Sequence, residues 1–279
     1  MGELFGITGT TEMALSLRFA GAETPRGYRE EGWGVAALRG PAAVVLKEPA
    51  ARPDAATATM LRDGRALRGD GAIAYIRRWT HSASLKNCHP FVRELGGREW
   101  AFAHNGNVAG VLRDARWRPQ RFAPIGSTDS ELAFCALLDR IAAALPQGDP
   151  RTGPPEPEAL ASVLQPASIA IARHGMFNYL LLTEQRLVVF SSGEYGLYVR
   201  ETEGEDAQAL ELVDEDWDIR VGAPDGLGPC VVAASNPMGG SGWRRLGRGE
   251  LLVAAAGRWA ARRPPQPPQR PLRRAVPPS

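Results

Sequence analysis

Cysteine is scarce in this chain: Cys88, Cys135 and Cys230 are the only three among 279 residues. Three thiols with no CxxC pair make neither a disulfide framework nor a cysteine-rich metal cluster, and a reducing compartment is expected. Long apolar runs are also missing. Nothing approaches the roughly 20 residues that a membrane span needs, and the opening Met-Gly-Glu-Leu-Phe lacks the basic start and apolar core of a signal peptide. The expectation is a cytoplasmic chain that does not enter a membrane. Histidine is limited to four residues with no pair at ligand spacing. Neither a Walker string nor GxGxxG occurs, so no metal and no bound cofactor are expected.

An excess of charge of one sign is absent as well. Lys plus Arg is 33 against 31 for Asp plus Glu. From Arg258 onward there are six arginines and no acid, which leaves 27 cationic side chains against 31 acidic ones, −4, on the rest. A near-neutral body without a basic stripe argues against a nucleic-acid partner.

What is present is ordinary globular composition, 44% hydrophobic and 23% charged, enough for one large domain or two small ones. The reading is a body over 1–257 and a Pro/Arg-rich tail over 258–279, whose last sixteen residues, PPQPPQRPLRRAVPPS, cannot offset the entropy of ordering them. Residues 146–157 (PQGDPRTGPPEP) read as a linker. Apolar residues at three- and four-residue steps, Leu132, Cys135, Leu138, Ala142 and Leu145, predict a helix over 129–145, with Thr128 and Glu131 as its capping box. Cys135 is then a small core residue. A second helix is expected from Pro157 to about Leu164, ended or kinked at Pro166.

Strands are expected at Gly34–Leu38, Ala43–Leu46, Gly71–Ile76, Trp100–Ala103, Val231–Ala234 and Glu250–Ala255, with a hairpin of Asn178–Leu182 and Leu187–Ser191. Strands without regular βαβ alternation, plus a few helices, indicate α+β with mostly antiparallel sheet. The segment Asn236-Pro237-Met238-Gly239-Gly240 is a loop that either closes over a site or simply turns.

Six short strings follow in a fixed order: MGELFG at the start, EGWG at 31–34, IRRWTH at 76–81, NCHPF at 87–91, FAHNG at 102–106 and STDSE at 127–131. Together they resemble the class II glutamine amidotransferases, especially the small stand-alone bacterial type with YafJ-like and ergothioneine-pathway members. The resemblance spans residues 1–257 and is densest over 1–135, with HNG and TDSE its most specific parts. It implies the N-terminal-nucleophile hydrolase fold, a four-layer αββα sandwich of two mainly antiparallel sheets.

The resemblance also implies roles. In the family a cysteine follows the initiator Met and becomes a thiolate nucleophile with its own α-amine as base. Here that position is Gly2, so no thioester can form. Asn105 and Gly106 match the oxyanion hole, although an Asn-Gly pair is otherwise a type I′ turn. Arg77 matches the arginine that grips the glutamine α-carboxylate, with Arg78 as the alternative register. Asp129 matches the carboxylate that pairs with the α-ammonium, and an acid in a first helical turn is also favoured by the helix dipole. Trp33 and Gly34 match a strand in which Gly lets the backbone pass close and Trp packs. His89 orders the pocket loop and His104 supports Asn105 by hydrogen bonding.

The implied partner is glutamine or a γ-glutamyl amide, with the chain inactive as given and serving to bind or to scaffold. One alternative is a genuine glutaminase or amidotransferase whose Cys was substituted in this chain. Another is a γ-glutamyl amide hydrolase with a different nucleophile. With no acceptor domain after residue 257, transfer of ammonia would need a separate acceptor protein. The oligomeric state is not read from the sequence.

Overall fold

A computed structural model describes residues 2–19, 30–49, 56–63, 67–78, 84–144, 153–203, 209–215 and 217–266. In chain order these form β1 (Glu3–Phe19), β2 (Glu30–Arg39), β3 (Ala42–Glu48), α1 (Ala56–Asp63), β4 (Leu67–Arg78), β5 (Phe91–Glu94), β6 (Glu99–Asn107), α2 (Asp129–Ala144) and α3 (Pro157–Ile171). They continue with β7 (Met176–Thr183), β8 (Arg186–Ser191), β9 (Tyr198–Thr202), β10 (Ala209–Val213), β11 (Trp217–Gly222), β12 (Cys230–Ala234), β13 (Arg244–Arg245), β14 (Glu250–Ala255) and β15 (Arg258–Arg263).

The strands make two antiparallel sheets. One runs β13-β9-β12-β1-β4-β2-β3, with β10 and β11 joined to the second half of β1, and the other runs β15-β14-β8-β7-β6-β5. Strand β1 is the spine of the first sheet. Its register against β4 slips between Thr8 and Met13, a bulge that re-aims the strand. The first half therefore pairs with β12 and the second with β11.

Alternation within strands assigns the layers. Leu4, Ile73 and Ala36 of the first sheet meet Ala101, Ala103, Leu180 and Val189 of the second in an inner core. Phe102, Phe177 and Tyr179 point the other way, onto Phe134 and Leu137 of α2 and Leu160 and Leu164 of α3. Phe102 and Phe134 stack with centroids 5.1 Å apart. On the outer face of the first sheet, Phe5, Val35 and Ala74 pack with Leu61 of α1 and Trp217. The expected αββα order of layers is present. Truncating an inner leucine such as the fully buried Leu182 to alanine costs about 2–5 kcal/mol.

Several expectations are corrected. Pro166 lies inside α3, which continues to Ile171. The burial of Leu164, Ser168 and Ile171 outweighs the lost backbone bond. The capping box is half made. Glu131 N–H donates to Thr128 Oγ1 at 3.2 Å, but the Glu131 carboxylate turns to the N–H groups of Ile125 and Gly126 and to Arg93. The tail begins later than residue 258. Arg258–Arg263 is β15, paired to β14, with Ala261 buried, Arg262 on the buried Glu250 at 3.0 Å and Arg263 on Glu158 at 3.0 Å. Residues 267–279 lie outside the described residues.

Candidate functional site

The chemistry gathers at one end of the inner sheet interface. Glu3 pairs with Ile76 and Leu4 with Tyr75, so Tyr75 is the diagonal, same-face neighbour of Gly2. One further step of that register puts Arg77 opposite Gly2. The other flank of β1 is closed by the end of β12. Leu4 N–H donates to Ser235 Oγ at 2.9 Å and Ser235 N–H to Leu4 O at 3.0 Å, while Asn236 Nδ2 donates to Glu3 Oε2 at 3.1 Å. From the facing sheet, alternation along β6 carries Ala101, Ala103 and then Asn105 toward the same interface.

The HNG string is a strand end and not a turn. Asn105 pairs with Asn178 and Gly106 with Phe177, which sets the type I′ alternative aside. Asn105 is 4% exposed, and its Oδ1 has no hydrogen-bond partner among the described residues. Its neighbour Asn178 is spent, accepting from Ser192 N–H at 2.9 Å and donating to Tyr195 O at 3.2 Å. Only glycine fits position 106. Its φ is +155°, and a Cβ there would overlap the Met176 carbonyl and lie 2.5 Å from His104 Nε2.

Behind Asn105 a buried network fixes α2 to β6. His104 Nδ1 lies 2.8 Å from Ser130 Oγ and Nε2 3.2 Å from Met176 O. A neutral ring protonated on Nε2 satisfies both, with Ser130 donating. Burial pushes the His104 imidazole below its usual value, against the opposing pull of Asp129. Asp129 Oδ2 accepts from Val108 N–H at 2.6 Å and Oδ1 from Ser130 N–H at 2.9 Å. This carboxylate thus ties the first turn of α2 to the residue three beyond Asn105, with Ser130 Oγ also 3.4 Å from Oδ1.

The loop over 84–90 packs against Tyr75 and β2. The His89 ring sits between Tyr75 and Phe91, with centroids 4.4 and 4.6 Å away. The His89 carbonyl lies so close to Gly34 that a Cβ on Gly34 would overlap it. Asn87 Oδ1 accepts from Ser127 N–H at 3.0 Å, and Cys88 Sγ donates to Ser84 O at 3.4 Å. Lys47 Nζ donates to Cys88 O at 3.2 Å, and burial lowers its pKa.

Residues 1–277 match the family of class II glutamine amidotransferases. The chain belongs to that family. Similar proteins are the putative glutamine amidotransferase YafJ of Escherichia coli K12, 29% identical over 92% of this chain and 98% of YafJ, and the uncharacterized protein MJ1515 of Methanocaldococcus jannaschii, 30% identical over 91% of this chain and 69% of MJ1515. The crystal structure of a "predicted glutamine amidotransferase" from Pseudomonas aeruginosa superposes with a TM-score of 0.72 at 28% identity, covering 93% of this chain and 99% of that one. A glutamine phosphoribosylpyrophosphate amidotransferase from Bacillus subtilis shares the fold at 19% identity, with a TM-score of 0.53 over 90% of this chain and 46% of that one.

In this amidotransferase-family chain, Gly6 faces Leu180 and Gly71 faces Leu182 across the interface, and these pair with Ala103 and Ala101, so Gly2 and Asn105 both lie further toward one end of it; Asp129 binds Val108, three residues beyond Asn105. His89 and His104 are both buried. Trp33 is also buried, but with the outer core of the first sheet, so it supports the fold from the far side. The side chains of Arg77 and Arg78, and all of Trp79, Thr80 and His81, lie outside the described residues. His174 is 3.2 Å from Asp114 and packs against Gly110, two residues beyond Val108. Ser235 and Lys47 were not singled out in sequence: a lone Ser after a strand and a Lys in an edge strand carry no local signature.

Among the described residues no group of three or more His, Cys, Asp or Glu side chains could hold a metal, and no helix is long and apolar enough to cross a membrane.

Proposed function

We propose that this chain has a class II glutamine pocket that binds glutamine or a γ-glutamyl amide without hydrolysing it, so that its role is recognition or scaffolding. Family motifs fill the oxyanion and α-ammonium positions with Asn105, Gly106 and Asp129, and the register of β4 favours Arg77 over Arg78 for the α-carboxylate. The observation that carries the reading is Gly2. At the position where the family holds its nucleophile, this chain has no side chain.

Other candidate nucleophiles support the reading by where they stand. Thr8 is fully buried, with its hydroxyl on Asp70 O at 3.1 Å, six residues along β1 and roughly 20 Å away by strand rise. Cys88 is 2% exposed and bonded into its own loop. A water standing in for the nucleophile would attack without the advantage of a fixed group, about 7–11 kcal/mol in well-oriented systems.

Calorimetric titration with L-glutamine and with a γ-glutamyl amide, beside an ammonia-release assay, tests this. The expected result is saturable binding, weakened by Asn105→Ala, with no ammonia above the buffer rate. Ammonia release that survives repurification would refute it, and absence of binding by either ligand would refute the pocket assignment.

A further inference from the structure

The space beside Gly2 is not empty. A Cβ built on Gly2 would overlap the Tyr75 hydroxyl and Cζ and would lie 2.5 Å from the Ile76 carbonyl oxygen. Real Cβ atoms do not come this close to other heavy atoms. Tyr75 is 7% exposed and belongs to the inner core with Leu4 and Ala103. Its ring is braced against His89, 4.4 Å between centroids, and the His89 carbonyl abuts Gly34. The ring cannot swing toward β2 without moving that loop.

We infer that Tyr75 occupies the volume a side chain at position 2 would need, so that the site is closed to a nucleophile by two residues and not by one. The steric part stands on geometry alone, and its meaning for catalysis rests on the glutamine-pocket reading above. Gly2 and Tyr75 form a matched pair: glycine is the residue that leaves room for the phenol, and the phenol seals the gap that glycine leaves. Restoring cysteine at position 2 therefore does not rebuild the family site while the tyrosine remains.

Two arms test the pair in the full-length chain. In the first, Gly2→Ala and Tyr75→Leu are made singly and together, and thermal unfolding is followed. Leucine keeps the inner part of the aromatic volume and removes Cζ and Oη, which limits the cavity. The contact with Ile76 O is common to both backgrounds and cancels. Gly2→Ala is expected to lower the melting temperature by several degrees more beside Tyr75 than beside leucine. An equal shift in both backgrounds, including none in either, overturns the inference.

In the second arm, ammonia release from glutamine is compared for Gly2→Cys and for Gly2→Cys with Tyr75→Leu, with N-terminal mass confirming removal of Met. Activity at least tenfold higher in the double variant is expected, and equal activity above background in the two overturns the claim that Tyr75 bars the nucleophile. If the melting temperatures are coupled and neither variant releases ammonia, the steric pair is upheld and the glutamine reading of the pocket is what fails.

Discussion

Replacing Gly34 by alanine should damage the site from a distance, and the size of the effect follows from the geometry. A Cβ at this position would lie 3.0 Å from both His89 C and Pro90 Cδ and closer still to the His89 carbonyl oxygen. Reaching ordinary contact requires a retreat of about 1.5 Å by one backbone or the other. Neither moves freely. Gly34 is held by ladder partners on both sides, Lys47 of β3 and Tyr75 of β4. The 84–90 loop is held by Asn87 on Ser127 and Lys47 on Cys88 O.

Overpacking of this kind costs roughly 1–3 kcal/mol. For a chain this long that is a drop in melting temperature of roughly 2–10 °C. Because the His89 ring lies against Tyr75, the displaced loop should also weaken the glutamine binding proposed above. Differential scanning calorimetry and titration calorimetry on Gly34→Ala would measure both. Gly40→Asn is the control, since position 40 has φ +57° and nothing within 4 Å of a built Cβ, a conformation Asn tolerates. Unchanged stability and binding in Gly34→Ala would refute the close-approach argument.

Three further outcomes are expected. Burial, reinforced by Glu184, raises the Asp70 carboxyl to about 6, so its protonated form stabilises the fold fully below the unfolded value near 4 and that contribution is lost as pH rises through 6. With partial exposure discounting the shift, Asp70→Asn should gain about 1 kcal/mol over the parent at pH 7 and nothing at pH 4 in urea titrations. Ser130→Ala removes the donor to His104 Nδ1 inside a buried site and should cost about 1–3 kcal/mol by chemical denaturation, without altering the far-ultraviolet circular dichroism of the native state. Ending the chain after Gly257 removes β15 and the Arg262 contact with Glu250. That truncation should lower the melting temperature, whereas ending after Gln266 should leave it within a degree.

The parts of this architecture legible in sequence were those with a local cause. The three- and four-residue steps of Leu132, Cys135, Leu138 and Ala142 marked α2, and apolar runs on either side of the polar stretch from Thr183 to Arg186 marked β7 and β8. Ordered motifs marked Asn105, Gly106 and Asp129. What stayed hidden depends on partners distant in the chain. The middle of β1 reads Thr8-Gly9-Thr10-Thr11-Glu12, with the look of a turn, yet the strand runs through it: Thr8 pairs with β4 and β12, Gly9 with β12, and the β4 ladder resumes at Met13. β15 reads Arg-Trp-Ala-Ala-Arg-Arg, and its charges disguised a strand that buries Ala261. Trp33 stands beside a motif glycine, but alternation sends it to the opposite face. The overlap of Tyr75 with position 2 follows from the β1–β4 register, which no single segment encodes.

The central place of β1 also governs the order in which the molecule can be completed. β1 is synthesised before β4, which is complete by residue 78, but its other flank is supplied by β12 at Cys230–Ala234. At 5–20 residues per second, roughly 8–30 s of translation separate the two. Through that interval the Phe5–Gly9 edge has only one of its two strand neighbours, and the end that carries Gly2 lacks Ser235. Pairings so distant along the chain also slow folding itself. The site is therefore among the last regions to close during biogenesis, and the nascent chain carries an open strand edge that chaperones or a second nascent copy can meet first.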